Sequence, residues 1–335
     1  MVDATHTKFS AGDRSYFSLI KKEIHRRAIE LGISEKRVAQ IDLIVAEITS
    51  NLYKYADDGE ILLGSFSEGG NPYVEIICID NGPGIANPSK MIQDGFSTSN
   101  TLGHGLGSIK RLSDTFDLYS LSGWGTILLS RVYVNEPIKN ASALTIRPIV
   151  LCKPGEETSG DGFFFKTSKD MVKLMLCDGL GHGPEANKAI NEAERNFRVC
   201  PDHDPVQTLR FLHGPMKRTR GMVANMICFD LKSKVWTSAG IGNIGVRWLG
   251  PNVAKNHMSY NGIVGHNIPN SMNVQQYAAE QYNQVVMASD GIKTRWDMAK
   301  YPMIQKCDPT VLAAAIYKDH ARHTDDMSVV VIKYK

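Results

Sequence analysis

The stretch Ile76-Ile77-Cys78-Ile79-Asp80-Asn81-Gly82-Pro83-Gly84 decides how the first half of the chain is read. Its apolar run begins at Tyr73, has the length of a strand, and ends at an acid followed by turn residues. Upstream, Val38, Ile41, Val45, Ile48 and Leu52 recur at helical spacing behind Ser34, a residue suited to cap a helix. Before them, Ile20, Ile24, Ala28 and Leu31 mark another helix, which Gly32 stops. On the second helix Glu47 and Asn51 stand at i, i+4 and share a face away from the Val45/Ile48/Leu52 stripe. A carboxylate there can act as general base for an attacking hydroxyl, and an amide oxygen can ligate Mg²⁺. Downstream, Gly103-His104-Gly105-Leu106-Gly107 leads into a helix spanning 107–114, whose bare amides suit phosphate oxygens. Gly123-Trp124-Gly125-Thr126 then precedes a strand. Taken singly, Glu47 reads as a solvated helix residue and the glycines as loops; four such patterns in this order do not.

Together they resemble the GHKL ATP-binding fold over about residues 12–134. Within it the resemblance is to the small serine kinases of partner-switching systems, the stressosome switch kinases of the RsbT type. Glu47-Ile48-Thr49-Ser50-Asn51-Leu52-Tyr53-Lys54-Tyr55-Ala56 and Gln93-Asp94-Gly95-Phe96-Ser97-Thr98-Ser99 carry it. The resemblance implies ATP with Mg²⁺ as cofactor. It makes Glu47 the catalytic base, Asn51 the Mg²⁺ ligand and Asp80 the partner of the adenine amino group. Gly82, Gly84, Gly103, Gly105 and Gly107 would line the nucleotide, with Thr126 beneath it. His104 departs from the pattern, since small or aliphatic residues are usual there. Histidine kinases share this fold, but only Met1 to Leu31 precede the second helix, too little for a phosphoacceptor hairpin, and His25 reads as a surface residue.

The second half carries four acidic sites: Gly160-Asp161-Gly162, the loop Asp178 to Gly183, Ser289-Asp290-Gly291 and Asp325-Asp326-Met327-Ser328. The second and third follow apolar strands and the fourth precedes one, so the carboxylates can converge at a sheet edge. Oxygen ligands gathered there suit hard divalent cations, and two such ions activate a water and clamp a phosphoryl group. A single Asp-Gly is ordinarily a turn. The four together resemble the PPM (PP2C-like) phosphatases, in the bacterial SpoIIE and RsbX branch, from about residue 145 to 335. Asp178-Gly179-Leu180-Gly181-His182-Gly183-Pro184-Glu185-Ala186 and Asp325-Asp326-Met327-Ser328-Val329-Val330-Val331-Ile332 are the specific matches. The resemblance implies two Mn²⁺ or Mg²⁺ ions, with Asp178 bridging them, the Gly179 carbonyl on one, and Asp290 and Asp325 completing the set. Asp161 takes the first acidic position, Asp326 is not separable from Asp325, and His182 is a supporting residue. Gly240 to Gly245 spells G-x-G-x-x-G after a strand, but strand-like Val246-Arg247-Trp248-Leu249 follows, so the dinucleotide reading fails. By the resemblance, that stretch sits where these phosphatases have a glycine-containing hairpin.

The expected class is α+β: an N-terminal GHKL ATP-binding α/β sandwich over 1–137, then a PPM β-sandwich flanked by helices over 138–335, joined through polar Asn135 to Ala143. At 335 residues two domains are the natural division, and 42% hydrophobic residues give each a core. A net charge of +3 with no charge run argues against nucleic acid. Six scattered cysteines without a C-x-x-C pair, no signal-peptide core and no apolar run of about 20 residues point to a soluble cytoplasmic protein with no membrane partner. By resemblance the protein phosphorylates and dephosphorylates serine or threonine on STAS-type antagonist proteins, within a sigma-factor regulatory complex; its oligomeric state stays open, a dimer included. Two alternatives stand beside this: a phosphatase regulated by a non-catalytic ATP-binding domain, and an anti-sigma-like sequestering module.

Overall fold

Helix α1 (Phe17–Glu30) buries Ile20, Ile24 and Ala28, and α2 (Glu35–Tyr55) buries Val38, Ile41, Val45, Ile48 and Leu52, the two stripes read above. Between them Gly32 takes φ 78°, and the Ile33 amide reaches back to the Ala28 carbonyl at 3.1 Å, closing the helix end through a left-handed residue. Ser34 stands at the N-cap of α2 with extended backbone, but its side chain makes no capping bond. These elements belong to a computed structural model that describes residues 6–56, 58–91, 105–137, 142–201 and 203–335.

The chain forms two units: His6–Ala141 with Tyr301–Ala315, and Ser142–Lys300 with Ile316–Lys335. In the first, β1 (Thr7–Ser10), β2 (Gly59–Glu68), β3 (Asn71–Asp80), β4 (Thr115–Leu121) and β5 (Gly125–Tyr133) make an antiparallel sheet in the order β1-β2-β3-β5-β4. Short α3 (Pro88–Met91) and α4 (Gly105–Leu112) lie between β3 and β4, so the helix expected over 107–114 starts two residues earlier. Ile24, Ile41, Ile48 and Ile109 pack on Ile61, Val74, Ile76 and Cys78 of one sheet face. The alternate residues Tyr73, Ile77, Ile79, Ile127, Leu129 and Tyr133 are buried too, which is why β3 reads as one continuous apolar run. Two charges sit among them, the cross-strand pair Glu75 and Arg131. Arg131, 1% exposed, also bonds Asp308 at 2.8 and 3.1 Å and Thr310 Oγ1 at 2.5 Å. The Tyr119 hydroxyl donates to the Pro302 carbonyl at 3.1 Å, so residues 301–315 are part of this unit's packing.

In the second unit, β7 (Asp161–Thr167), β8 (Met171–Gly179), β9 (Met222–Asp230), β10 (Val235–Ile241) and β13 (Gln275–Ala278) form one antiparallel sheet in the order β13-β10-β9-β8-β7. The other comprises β6 (Leu144–Leu151), β11 (Gly245–Leu249), β12 (Ala254–Asn256), β14 (Gln284–Ala288) and β15 (Met327–Tyr334), in the order β12-β11-β14-β15-β6. Trp236 against Trp248 (5.9 Å between rings) and Phe229 against Tyr334 (5.3 Å) join the inner faces. Helices α5 (Gly183–Val199) and α6 (Pro205–Met216) cover the first sheet through Ala189, Ala193, Phe197, Leu209 and Leu212. Residues 240–245 link β10 to β11, which lie in different sheets, so the expected hairpin is a crossover from one layer to the other. Helix α7 (Pro309–His320), which belongs to the first unit up to Ala315 and to the second from Ile316, has no polar stripe: Pro309 to Tyr317 are all buried, and a helix apolar all round gives no periodic signal. Among the described residues no helix is long and apolar enough to cross a membrane. All six cysteines are free thiols, four of them buried.

Candidate functional sites

In the first unit α2 presents Glu47 and Asn51, both half-buried, toward the start of α4. The contact is made by a missing side chain. A Cβ on Gly105 would stand 2.9 Å from Glu47 Oε2 and 3.6 Å from Asn51 Oδ1, so glycine leaves room between the helix start and the two polar groups. The same kind of construction recurs at the end of β3. Asp80 pairs with Thr126 in the β3–β5 register, and its Oδ1 accepts the amides of Gly82 (2.8 Å) and Thr126 (3.1 Å). A Cβ on Gly82 would lie 2.5 Å from the Tyr55 carbonyl, and one on Gly84 (φ 73°) would strike the Leu121 carbonyl. Thr126 Oγ1 lies 3.0 Å from Ser120 Oγ, which also accepts the Ile85 amide at 2.8 Å and donates to the Gly125 carbonyl at 2.9 Å. Ser120 thus ties the Asp80 turn to β4 and β5, a role no motif in the sequence announced. Gly107 is buried within α4. Gly103, His104 and the stretch 93–99 lie outside the described residues. One cluster therefore holds Glu47, Asn51 and Gly105, and the other holds Asp80, Gly82, Gly84 and Thr126. Void, carboxylate and amide at a helix start suit a nucleotide with its Mg²⁺.

In the second unit β7 and β8 place Asp161 directly across from Asp178. Asp290 follows β14, and Asp325 with Asp326 precedes β15. Burial pushes the Asp178 carboxyl up to about 9, reinforced by the charges of Asp161, Asp290, Asp325 and Asp326. Burial likewise raises Asp161 to about 7, although the Ser289 and Ser328 hydroxyls oppose the shift before Asp326 and Asp290 add to it. Ser328 Oγ donates to Asp161 Oδ2 at 2.7 Å, and Asn243 Nδ2 donates to Asp290 Oδ2 at 3.0 Å. Asp326 is held differently from Asp325: its oxygens accept the Lys153 and Gly160 amides, each at 2.9 Å, whereas Asp325 Oδ1 accepts the Asp326 amide at 2.9 Å. Asp326 thereby ties three loops together. Glycine is needed here as well, because a Cβ on Gly160 would come within 2.9 Å of Asp326 Oδ2 and one on Gly179 within 2.8 Å of the Ala186 carbonyl. The Gly179 amide donates to the Gly160 carbonyl at 2.8 Å. His182 Nδ1 bonds Glu156 Oε1 at 2.8 Å.

Among the described residues no three carboxylates, histidines or cysteines already converge on one point. The donor set nevertheless fits hard cations. Its side chains are oxygen donors, and the burial that chiefly raises Asp161 and Asp178, with the repulsion that adds to it, penalises negative charge that a divalent ion would neutralise. Ser328 and Ser289 were visible inside the acidic motifs without a role. Asn243 belongs to the rejected G-x-G-x-x-G stretch, and the crossover delivers it to Asp290.

Residues 13–131 match the histidine kinase-like ATPase domain family. The chain is 42% identical over 99 residues to the serine/threonine-protein kinase RsbT of Bacillus subtilis (strain 168), covering 30% of this chain and 74% of RsbT. It is 28% identical over 97 residues to the phosphoserine phosphatase RsbX of the same organism, covering 28% of this chain and 47% of RsbX, about half its length. Among solved structures, a chain from work on the bacterial stressosome as a modular system adapted to control secondary messenger signalling is 26% identical, with TM-score 0.52, over 57% of this chain and all of that one. RsbX in complex with magnesium shares the fold at 17% identity and TM-score 0.50, over 59% of this chain and 99% of that one.

Proposed function

The chain belongs to the RsbT-type kinases of the histidine kinase-like ATPase family and joins that unit to one of PPM phosphatase fold, and from this premise we propose a bifunctional partner-switching regulator. The first unit phosphorylates a serine or threonine on a STAS-type antagonist protein, and the second removes such a phosphate, in the cytoplasm and within a sigma-factor regulatory complex. The observation that carries the kinase reading is the approach of Glu47, Asn51 and Gly105.

Asn51 would hold Mg²⁺, Asp80 would take the adenine amino group, and Gly82, Gly84, Gly105, Gly107 and Thr126 would line the nucleotide. Glu47 accepts the proton of the attacking hydroxyl. In the second unit Asp178, Asp161, Asp290, Asp325 and the Gly179 carbonyl hold two Mg²⁺ or Mn²⁺ ions. When bound, the ions supply an activated water and clamp the phosphoryl group. Ser328 and Asn243 keep Asp161 and Asp290 oriented, and Asp326 ties the backbone before Asp161 to that of Lys153.

Retention of a carboxylate at Glu47, facing Asn51, favours phosphate transfer over a purely nucleotide-sensing domain. The test is transfer of phosphate from ATP to STAS proteins of the same genome, followed by mass spectrometry. Transfer by the wild type and none by Glu47→Ala supports the kinase reading. Binding of the partner without transfer by either protein overturns it and leaves the sequestering module.

A further inference from the structure

We propose that Arg220 is the phosphate-binding side chain of the second unit, an assignment that rests on the phosphatase reading above. The β8–β9 register pairs Gly179 with Met222, and the Leu180 amide donates to the Gly221 carbonyl at 3.1 Å. The turn before β9 therefore runs beside the loop that leaves Asp178. Arg220 is the residue of that turn whose side chain folds over the loop. A Cβ on Gly181, where φ is 90°, would come within 2.9 Å of an Arg220 guanidinium nitrogen. Glycine at 181 thus does two things: it supplies a left-handed turn three residues after Asp178, and it lets a cation lie on the backbone there.

The backbone of Arg220 is held from three sides. The Gly221 amide donates to Thr219 Oγ1 at 3.0 Å, Gly221 itself sits at φ 79°, and His266 Nε2 donates to the Arg220 carbonyl at 2.8 Å. The guanidinium, by contrast, has no hydrogen bond or ion pair among the described residues. The nearby carboxylate of Glu185 pairs with Lys188 instead. A surface arginine is usually left to solvent or to the first acid it meets. This one lies on the backbone of Gly181, three residues after Asp178, with Glu185 within its electrostatic reach. A planar guanidinium binds a phosphoryl group through two parallel hydrogen bonds, which also orients it. The substrate class is a phosphate monoester, recognised at its phosphate and not through the surrounding protein.

Wild type, Arg220→Ala and Arg220→Lys are compared with Mg²⁺ on p-nitrophenyl phosphate and on a phosphorylated STAS protein, with inorganic phosphate as inhibitor. Loss of the charged hydrogen bonds should raise KM for both substrates, and Ki for phosphate, by about 10- to 100-fold. The kcat should stay within about threefold, since this binding is common to ground and transition states. Arg220→Lys should recover part of the loss, and the melting temperature should not move, because the side chain is exposed. KM unchanged in Arg220→Ala overturns the assignment, as does a rise confined to the protein substrate. A wild type that releases no phosphate from either substrate overturns the phosphatase reading itself, and this assignment with it.

Discussion

The two candidate centres are built on opposite plans. The one in the first unit is made of gaps: Gly105 leaves space at Glu47 and Asn51, Gly82 and Gly84 let the Asp80 turn close, and the polar work falls to backbone amides. The one in the second unit is made of crowding, with acids from four separate stretches near enough that burial, and then their repulsion, lift Asp178 to about 9. A gap awaits a ligand that brings its own charge and shape. A crowd of carboxylates awaits a cation, and each of its members depends on the others. Substitutions should therefore act locally in the first centre and collectively in the second.

The largest effect expected is from Glu47→Ala, which should slow phosphate transfer by about 10²- to 10⁴-fold, the usual worth of a general base. Hydrolysis of p-nitrophenyl phosphate by the same protein should be unchanged. Next comes Arg131→Met. It takes the guanidinium away from buried Glu75 and half-buried Asp308, which costs about 3–5 kcal/mol on a denaturant curve. Adding Glu75→Gln to that variant should return part of the loss. A smaller change, about 10- to 100-fold in phosphatase activity or metal affinity, is expected from Ser328→Ala, whose hydroxyl orients Asp161. If Ser328→Ala left both untouched, the collective picture of the acidic centre would be wrong.

The smallest effect is one of pH. The folded Asp178 keeps its proton up to about 9, whereas the unfolded residue loses it near 4. The stability it contributes is thus full below pH 4 and lost as pH rises through 9. With chelator present, melting temperature should fall from pH 7 to pH 9. Mg²⁺ should raise it more at pH 9 than at pH 7, because fewer protons compete for the carboxylates. Burial holds His257 near 4 and gives the opposite slope only below about 6.5, outside this window.

How much of this was open to reading follows from the same contrast. The helical stripes of α1 and α2 and the glycines around Asp80 are local, so spacing alone exposed them. Thr126 was legible as part of a glycine turn, but Ser120, its bonded neighbour, needed the β4–β5 pairing to acquire a role. The acidic residues were visible as motifs, yet nothing in Asp325-Asp326 said which one spends its oxygens on the Lys153 and Gly160 amides; partners some 170 residues away decide that. The crossover at 240–245 departs from the hairpin that the resemblance implies, and the sequence does not show it because short apolar strands carry no label for the sheet they join. Helix α7 and the place of residues 301–315 escaped for a related reason, since full burial erases the polar phase from which periodicity is read.

The claim that two opposed activities share this chain is tested most directly by following phosphate on a STAS protein over time, with ATP and Mg²⁺ and either wild type or Asp290→Asn. The account predicts that phosphorylated STAS protein builds up with Asp290→Asn, and that wild type added afterwards clears it. Equal accumulation with both proteins, and no clearance, would contradict it.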